Sequence, residues 1–372
     1  MPLLSIVVPT YREADNLPAL AAAINDALTD GESRKQLIAA AGGEDGDGLY
    51  ELIIADDDSA DGTNAICAQL QKEYPLKLLS RKEDRGLSQA VLAGVAIAKG
   101  GIIVVMDADL SHPPSAIAQL VLPLLNDEAD FSAGSRYVGG GAADKEWPLH
   151  RRLFSALATI PAKMLVPMND PMSGFFAFRR KSLPPQLTPI GYKIGLEIAV
   201  KMPARRIVET PIFFRDRQKG ESKLNWRETL NYLRHLRRLF WHQWPKRTEV
   251  VQFCAAGGMG MVIDLAVYFS LQGLGVPHLF ARALAFWPAA SFNWLLNRIM
   301  TFKTRPRPLR MKQWLQFCAA SVFGFICNWG TYALLTSKVQ FFADNLLPAF
   351  FIGVLVGTIF NFICADRIVF RQ

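Results

Sequence analysis

From Val250 onward the chain carries apolar runs long enough to cross a lipid bilayer, and residues before it carry none of that length. A bilayer offers no water to backbone N–H and C=O groups, so a stretch of about 20 apolar residues must close its hydrogen bonds internally as a helix. Four such spans are predicted, over residues 250–271, 278–296, 314–335 and 346–365. Charge follows the same division. After Pro245 there are twelve Lys or Arg against four Asp or Glu, whereas residues 1–245 balance, so the net +8 belongs to the apolar part.

The placement of that charge predicts orientation. The linker over residues 298–312 holds six basic residues and no acid, while the linkers at 272–277 and 337–345 carry only Lys338 and Asp344. Basic linkers stay on the cytoplasmic side, which puts residues 1–247, the middle linker and the C-terminus in the cytoplasm, in agreement with an even number of spans. The expected location is an integral membrane protein, with a bacterial inner membrane favoured. Nucleic acid is disfavoured as a partner, because the basic residues bracket membrane-length segments instead of lining a soluble face. Residues 226–247 space Leu230, Leu233, Leu236, Leu239 and Phe240 three or four apart among Arg227, Arg234, Arg237 and Arg238. They read as a basic amphipathic helix on the membrane surface.

The apolar half repeats internally. Gln252-Phe253-Cys254-Ala255-Ala256 recurs as Gln316-Phe317-Cys318-Ala319-Ala320, Gly260 aligns with Gly324, Asp264 with Asn328, and residues 292–303 resemble 360–371. Two helical hairpins facing the same way are predicted. Ala256/Gly260 and Ala320/Gly324 permit close helix packing. Asp264 inside a span is costly, so it either functions or bonds to a neighbouring helix. Four of the five cysteines lie in these spans, and no spacing implies a disulfide framework or a metal site.

Residues 1–225 read differently. The start lacks a basic region and reads as strand then turn, so no signal peptide is expected. Short β-branched runs at 4–10, 52–55, 76–79 and 102–106 alternate with helical patterns at 16–28, 63–74 and 87–98, and residues 29–50 look like a polar insertion. Strands alternating with helices imply a mostly parallel sheet, whose ligands sit at the carboxyl ends of its strands. Asp56-Asp57-Asp58 and Asp107-Ala108-Asp109 fall at two such ends. Two carboxylates one residue apart suit a hard divalent cation, Mg²⁺ or Mn²⁺, shared with substrate phosphates.

Six motifs in order carry a resemblance: Pro9-Thr10-Tyr11-Arg12-Glu13, Asp56 to Thr63, Met106 to Pro114, Gly134-Ser135-Arg136-Tyr137, Asp170-Pro171-Met172-Ser173-Gly174-Phe175, and Arg217 to Leu224. Together they resemble family 2 glycosyltransferases, and within them dolichol-phosphate mannose synthases and bacterial polyprenyl-phosphate relatives. The C-terminal half resembles the GtrA-like four-span domain. The resemblance implies an α/β, Rossmann-like GT-A domain over 1–225, the interfacial helix over 226–247 and the membrane domain over 248–372.

It further implies roles. Pro9, Tyr11, Glu13, Asp57 (with Asp56 or Asp58 beside it) and Lys223 would hold the donor nucleotide. Asp107 and Asp109 would hold metal and diphosphate, with Ser111 standing where a Gln ligand is common. Arg136, Arg151, Ser155 and Ser222 would hold the acceptor phosphate, and Arg217 would close over the diphosphate. Asp170 and Glu197 would shape the sugar pocket. The implied partners are a nucleotide sugar, with GDP-mannose favoured, a polyprenyl phosphate and the bilayer. The implied reaction is one inverting displacement. A phosphate monoester is already anionic at neutral pH, so no catalytic base is assigned. A UDP-sugar donor such as UDP-glucose stays open, as does a lipid-sugar flippase or scaffold with an inactive first domain. The Gln-x-x-Arg-Trp pattern of processive synthases is absent.

Overall fold

Strand β1 (Leu4–Thr10) is buried along its whole length, as expected of a β-branched run covered on both faces. It pairs in parallel with β2 (Tyr50–Asp56) on one side and β4 (Ile102–Val105) on the other, and β3 (Leu76–Ser80) joins β2. The computed structural model describes residues 1–43, 48–143, 159–203, 206–214, 226–303, 305 and 310–371. These form two units, Met1–Gln243 and Trp244–Gln372.

The first unit is built on a seven-stranded sheet in the order β3-β2-β1-β4-β7-β5-β8. Strand β5 (Phe131–Ser135) runs parallel to β8 (Ile207–Pro211), and β7 (Phe176–Arg179) is antiparallel to both β4 and β5. A short pair, β6 (Ala142–Ala143) with β9 (Phe213–Phe214), lies beside it. Helices α1 (Leu17–Thr29), α3 (Thr63–Leu70), α4 (Leu87–Ile97) and α5 (Ile117–Leu125) cross between strands. The mostly parallel Rossmann-like architecture is therefore the observed one.

The polar insertion is not irregular throughout. Gly31–Ala40 forms helix α2, capped by Asp30, whose carboxylate accepts from the Ser33 N–H at 3.4 Å. Its one fully buried side chain, Leu37, joins the core next to α5. A helix with a single fully buried residue leaves little periodicity to read.

Helix α6 (Ile194–Lys201) is followed in the described structure by α7 (Trp226–Gln243). Helix α7 belongs to the first unit and packs on α6, burying Tyr232, His235, Leu236 and Leu239. Trp226, Leu230 and Leu233 stay exposed. The apolar residues predicted for one membrane-facing stripe are thus divided between a docked face and an outer face.

In the second unit, α8 (Pro245–Gly273) packs against α9 (His278–Leu296), and α10 (Arg310–Lys338) against α12 (Leu346–Cys364), with α11 (Gln340–Asp344) in the turn. Pro245–Gly273, Arg310–Lys338 and Leu346–Val369 are long and apolar enough to cross a membrane. Helix α9 is not among these three. Its sequence includes His278, Arg282, Pro288 and Asn293 among its apolar residues. Side chains such as Phe325, Trp329, Leu347 and Phe351 point outward, which water would penalise and lipid would not.

The sequence repeat has a backbone counterpart. Each hairpin ends in one π-helical turn, Asn297–Thr301 and Ala365–Val369, closed by Phe302 N–H to Asn297 O and Phe370 N–H to Ala365 O, both at 2.8 Å. The two phenylalanines stack at 4.6 Å between centroids. An added Cβ at Gly260 would lie 3.3 Å from Asn293, and one at Gly324 would collide with Asn361, so the small residues do permit the close crossings. Arg305, nearly buried, ties the ends together by pairing with Glu249 at 2.9 Å and Asp366 at 2.5 Å.

Candidate active site

Adjacent parallel strands put two acidic loops side by side. In register, Thr10 lies opposite Asp56. Asp56 is fully buried and accepts from Thr10 Oγ1 at 3.0 Å, the Ser59 N–H at 2.7 Å and Ser59 Oγ at 2.7 Å. Asp57 is also buried, held by Arg81 at 2.5 Å and the Gly86 N–H at 2.6 Å. Asp58 has a left-handed backbone, φ 55°, and pairs with Arg85. Of the residues expected at the nucleotide, Pro9 and Asp56 thus lie within the protein, Asp57 is spent on internal bonds, Glu13 accepts from Asn16, and Tyr11 is exposed with the Arg12 guanidinium over its ring. Asp56 knots the β1 and β2 loops together.

Beyond β4 the chain turns sharply through Asp107-Ala108-Asp109-Leu110-Ser111. Leu110 has φ 59°, a costly conformation for a non-glycine residue and one that concentrates at functional sites. The turn lets Ser111 donate twice to Asp109 Oδ1, from its N–H at 3.1 Å and its hydroxyl at 2.5 Å. Ser111, expected as a metal ligand, here bonds to Asp109, the neighbouring expected ligand. Asp107 keeps a more open carboxylate, with 29% of its side chain exposed. Among the described residues no group of three or more His, Cys, Asp or Glu is placed to hold a metal. A cation here would have two carboxylates, and phosphate oxygens or water would supply the rest, an arrangement that suits Mg²⁺ and comparable hard ions.

His112 completes the turn. Its buried Nδ1 accepts the Asp107 N–H at 3.2 Å, and its ring stacks on Phe175 at 5.4 Å and meets Phe214 edge-on. Burial pushes its pKa down, against the pull of Asp107 and Asp109, so the ring is neutral and able to accept. An added Cβ at Gly174 would stand 3.2 Å from Asp107 Oδ2 and 3.3 Å from His112 Cε1, so only glycine leaves this wall of the site its shape.

Arg136, at the end of β5, grips Asp170 with two parallel bonds, Nε to Oδ2 at 2.7 Å and Nη2 to Oδ1 at 2.8 Å, and its N–H adds a third. Asp170 is fully buried. Its turn is closed by Ser173 N–H to Asp170 O at 3.2 Å, with Pro171 in the position where a fixed φ helps. Glu209 on β8 holds the same turn through the N–H groups of Asn169 and Asp170. Burial alone would lower the Arg136 pKa, but Asp170 outweighs it and raises it.

Lys193, just before α6, reaches the same turn and donates to the Met172 carbonyl at 2.7 Å. Burial lowers its pKa to about 8, with Arg136 adding repulsion while Asp107 and Asp170 act in the opposite sense. Neither Lys193 nor His112 stood among the expected site residues. The signal for Lys193 is a cation directly ahead of a mostly apolar helix, buried from Ile194 to Val200.

Glu197 does not line this site. It is fully buried in α6, bonded to the Thr188 N–H and Lys201, with His235 of α7 at 3.2 Å. Arg151, Ser155, Arg217, Ser222 and Lys223 lie outside the described residues. The Arg217 segment follows Phe214, whose ring lies beneath the Arg136 guanidinium at 5.3 Å. The structure thus brings Asp107, Asp109, Ser111, His112, Arg136, Asp170 and Lys193 into one neighbourhood at the strand ends.

Two family models and several known proteins are similar to this chain. Residues 5–184 match the "Glycosyl transferase family 2" family and residues 252–371 the "GtrA/DPMS, transmembrane domain" family. A dolichol-phosphate mannosyltransferase of Pyrococcus furiosus is 34% identical over 95% of this chain and 95% of its own length. One from Mycosarcoma maydis is 38% identical over 64% of this chain and 79% of its own. A solved structure of glucosyl-3-phosphoglycerate synthase from Mycobacterium tuberculosis, in complex with Mn²⁺, UDP and glucosyl-3-phosphoglycerate, is 21% identical over 65% of this chain and 80% of its own, with a TM-score of 0.43. The near full-length match, running through both the strand-end site and the paired helical hairpins, makes this chain a member of the dolichol-phosphate mannosyltransferase family, with a family 2 glycosyltransferase domain followed by a GtrA/DPMS transmembrane domain.

Proposed function

We propose that this protein transfers mannose from GDP-mannose to a polyprenyl phosphate, with inversion at the anomeric carbon, at the cytoplasmic face of a membrane. The observation that carries the reading is the pairing, in one site, of the Asp107/Asp109 turn with the Arg136–Asp170 pair. The first suits a metal-bound diphosphate, and the second presents a rigid cation to an anionic acceptor. The names of these relatives supply the sugar and the lipid class.

Asp107 and Asp109 would hold Mg²⁺ or Mn²⁺, which when bound offsets charge on the leaving diphosphate. Ser111 keeps Asp109 facing that position. Arg136, aligned by Asp170, steers the acceptor phosphate toward the sugar. Arg151, Ser155 and Ser222 are assigned to the same phosphate, and Arg217 and Lys223 to the nucleotide side. Tyr11, exposed beside Arg12, is assigned to the base and ribose. The acceptor attacks as an anion, so positioning and charge stabilisation carry the rate and no base is required. Four spans with a cytoplasmic catalytic domain and C-terminus complete the proposal, supported by the basic 298–312 linker. The exposed Trp226, Leu230 and Leu233 of α7 are assigned to the membrane surface.

The test uses the full chain in liposomes with Mg²⁺ or Mn²⁺, a short polyprenyl phosphate, and labelled GDP-mannose and UDP-glucose in parallel. Label passing into the lipid phase from GDP-mannose, in β linkage, is the expected result. Label from UDP-glucose alone would overturn the donor, and transfer from neither would overturn the reading.

A further inference from the structure

Lys193 is a mostly buried cation with no carboxylate in salt-bridge contact among the described residues. Among the described residues it forms no salt bridge, and its bonding is limited to the Met172 carbonyl at 2.7 Å and the Tyr192 ring at 4.7 Å. An ammonium has three donors, so the carbonyl leaves two unused. Burying an unpaired charge is unfavourable, and here the cost shows in a pKa lowered to about 8. Proteins retain such a charge where something else pairs with it.

The surroundings indicate what that partner is. Asp107, Asp170 and Arg136 all act electrostatically on Lys193. Asp170 is already committed to Arg136 through two parallel bonds, and Asp107 belongs to the carboxylate pair at the end of β4. Lys193 is therefore within electrostatic reach of a carboxylate suited to a cation and of a guanidinium suited to an anion. We propose that Lys193 is a substrate-contacting residue that donates to a phosphate group in this site, either on the nucleoside diphosphate or on the lipid phosphate. The inference rests on the transfer reaction proposed above for the identity of those phosphates. Its geometry depends only on Lys193, Met172 and the neighbouring charges. A phosphate oxygen would take up the two remaining N–H donors and pair the charge, while the Met172 carbonyl holds the ammonium in place.

A structural alternative has a different signature. If Lys193 served only to hold the Asp170–Ser173 turn, a neutral donor would replace it. Lys193→Gln keeps an N–H for the Met172 carbonyl and removes the charge, and Lys193→Arg keeps the charge. The full chain in detergent would be titrated with GDP plus Mn²⁺ by calorimetry, and separately with a short polyprenyl phosphate, with thermal unfolding recorded for each variant. The proposal predicts that Lys193→Gln unfolds within a few degrees of wild type and binds one of the two ligands roughly 10- to 100-fold more weakly, as expected for loss of a hydrogen bond to a charged group. Lys193→Arg should recover most of that affinity. Loss confined to GDP places the contact on the donor diphosphate, and loss confined to the lipid places it on the acceptor. Unchanged affinity for both ligands in Lys193→Gln would overturn the proposal, whatever happens to thermal stability. If Lys193→Gln does not fold, Lys193→Met, which keeps the aliphatic stem and removes the charge, is titrated in the same way: binding of one ligand at least tenfold weaker supports the contact, and unchanged binding of both overturns it. Binding of GDP is read without turnover, so failure of the proposed transfer reaction and failure of this contact are separable.

Discussion

The Arg136 guanidinium meets the fully buried Asp170 carboxylate edge to edge, at 2.7 Å and 2.8 Å, while Glu209 holds the backbone of Asp170 from the neighbouring strand. Two strands and one proline turn thus fix the direction of a single cation. This accounts for an arginine, whose planar fork matches a carboxylate in two places where a lysine would meet it in one.

Breaking that pair should be costly for both fold and reaction. Asp170→Asn leaves Arg136 buried and unneutralised, so a destabilisation of about 3–5 kcal/mol is expected. Transfer should fall at least tenfold even at temperatures where the variant is folded. Thermal unfolding and acceptor KM measured on the same preparation check this, and an unchanged KM would contradict the alignment role.

Ser111 and Asp109 should separate cleanly. Ser111 acts on Asp109 through one hydroxyl bond, so Ser111→Ala should weaken metal activation by roughly 5- to 30-fold, corresponding to about 1–2 kcal/mol. Asp109→Ala should abolish transfer. A titration of activity against Mn²⁺ distinguishes the two, and equal loss in both would mean that Ser111 is itself a ligand.

Gly174→Ala places a methyl group 3.2 Å from Asp107 Oδ2. The expected result is a folded protein with transfer reduced by roughly one to two orders of magnitude, because small misplacements of reacting groups are expensive. Wild-type activity in this variant would show that the wall behind Asp107 yields.

Glu197 predicts a pH effect in the fold. Burial opposes its charge, but His235 and Lys201 outweigh that and bring its pKa to about 2, from an ordinary 4.5. A lowered carboxylate pKa contributes stability that is present above about pH 4.5 and is lost as pH falls toward 2. The difference in thermal stability between wild type and Glu197→Gln should be constant above about pH 5 and shrink below pH 4. A difference that grows on acidification would contradict the pairing.

What was legible in the sequence depended on how each feature is encoded. The strand read as 102–106 appears as Ile102–Val105, because a buried parallel strand is an uninterrupted apolar run, and that read as 76–79 appears as Leu76–Ser80 at the sheet edge, where Lys77 can interrupt the run. The repeat between 292–303 and 360–371 emerged as matching π-turns because identical spacing carries identical backbone. Helix α2 falls in the stretch read as a polar insertion, because Leu37 is its one fully buried residue. Helix α7 reads as one membrane-facing stripe, since periodicity shows that a face is apolar and not what covers it; its Leu236 and Leu239 are buried, and His235 beside them meets Glu197 of α6. Asp56 and Asp57 look alike in sequence and differ only in which neighbours take their oxygens. Lys193 lies far along the chain from Asp107, and only folding brings the two charges within reach of each other.

The central claim is that the Asp107/Asp109 turn, with a divalent cation, drives sugar transfer to a lipid phosphate. The most direct measurement is the rate at which labelled mannose passes from GDP-mannose to a polyprenyl phosphate as Mn²⁺ is raised from zero, in wild type and in Asp109→Ala. The account predicts saturable, chelator-reversible activity in wild type and none in the variant. Transfer that persists without metal, or survives in Asp109→Ala, would contradict it.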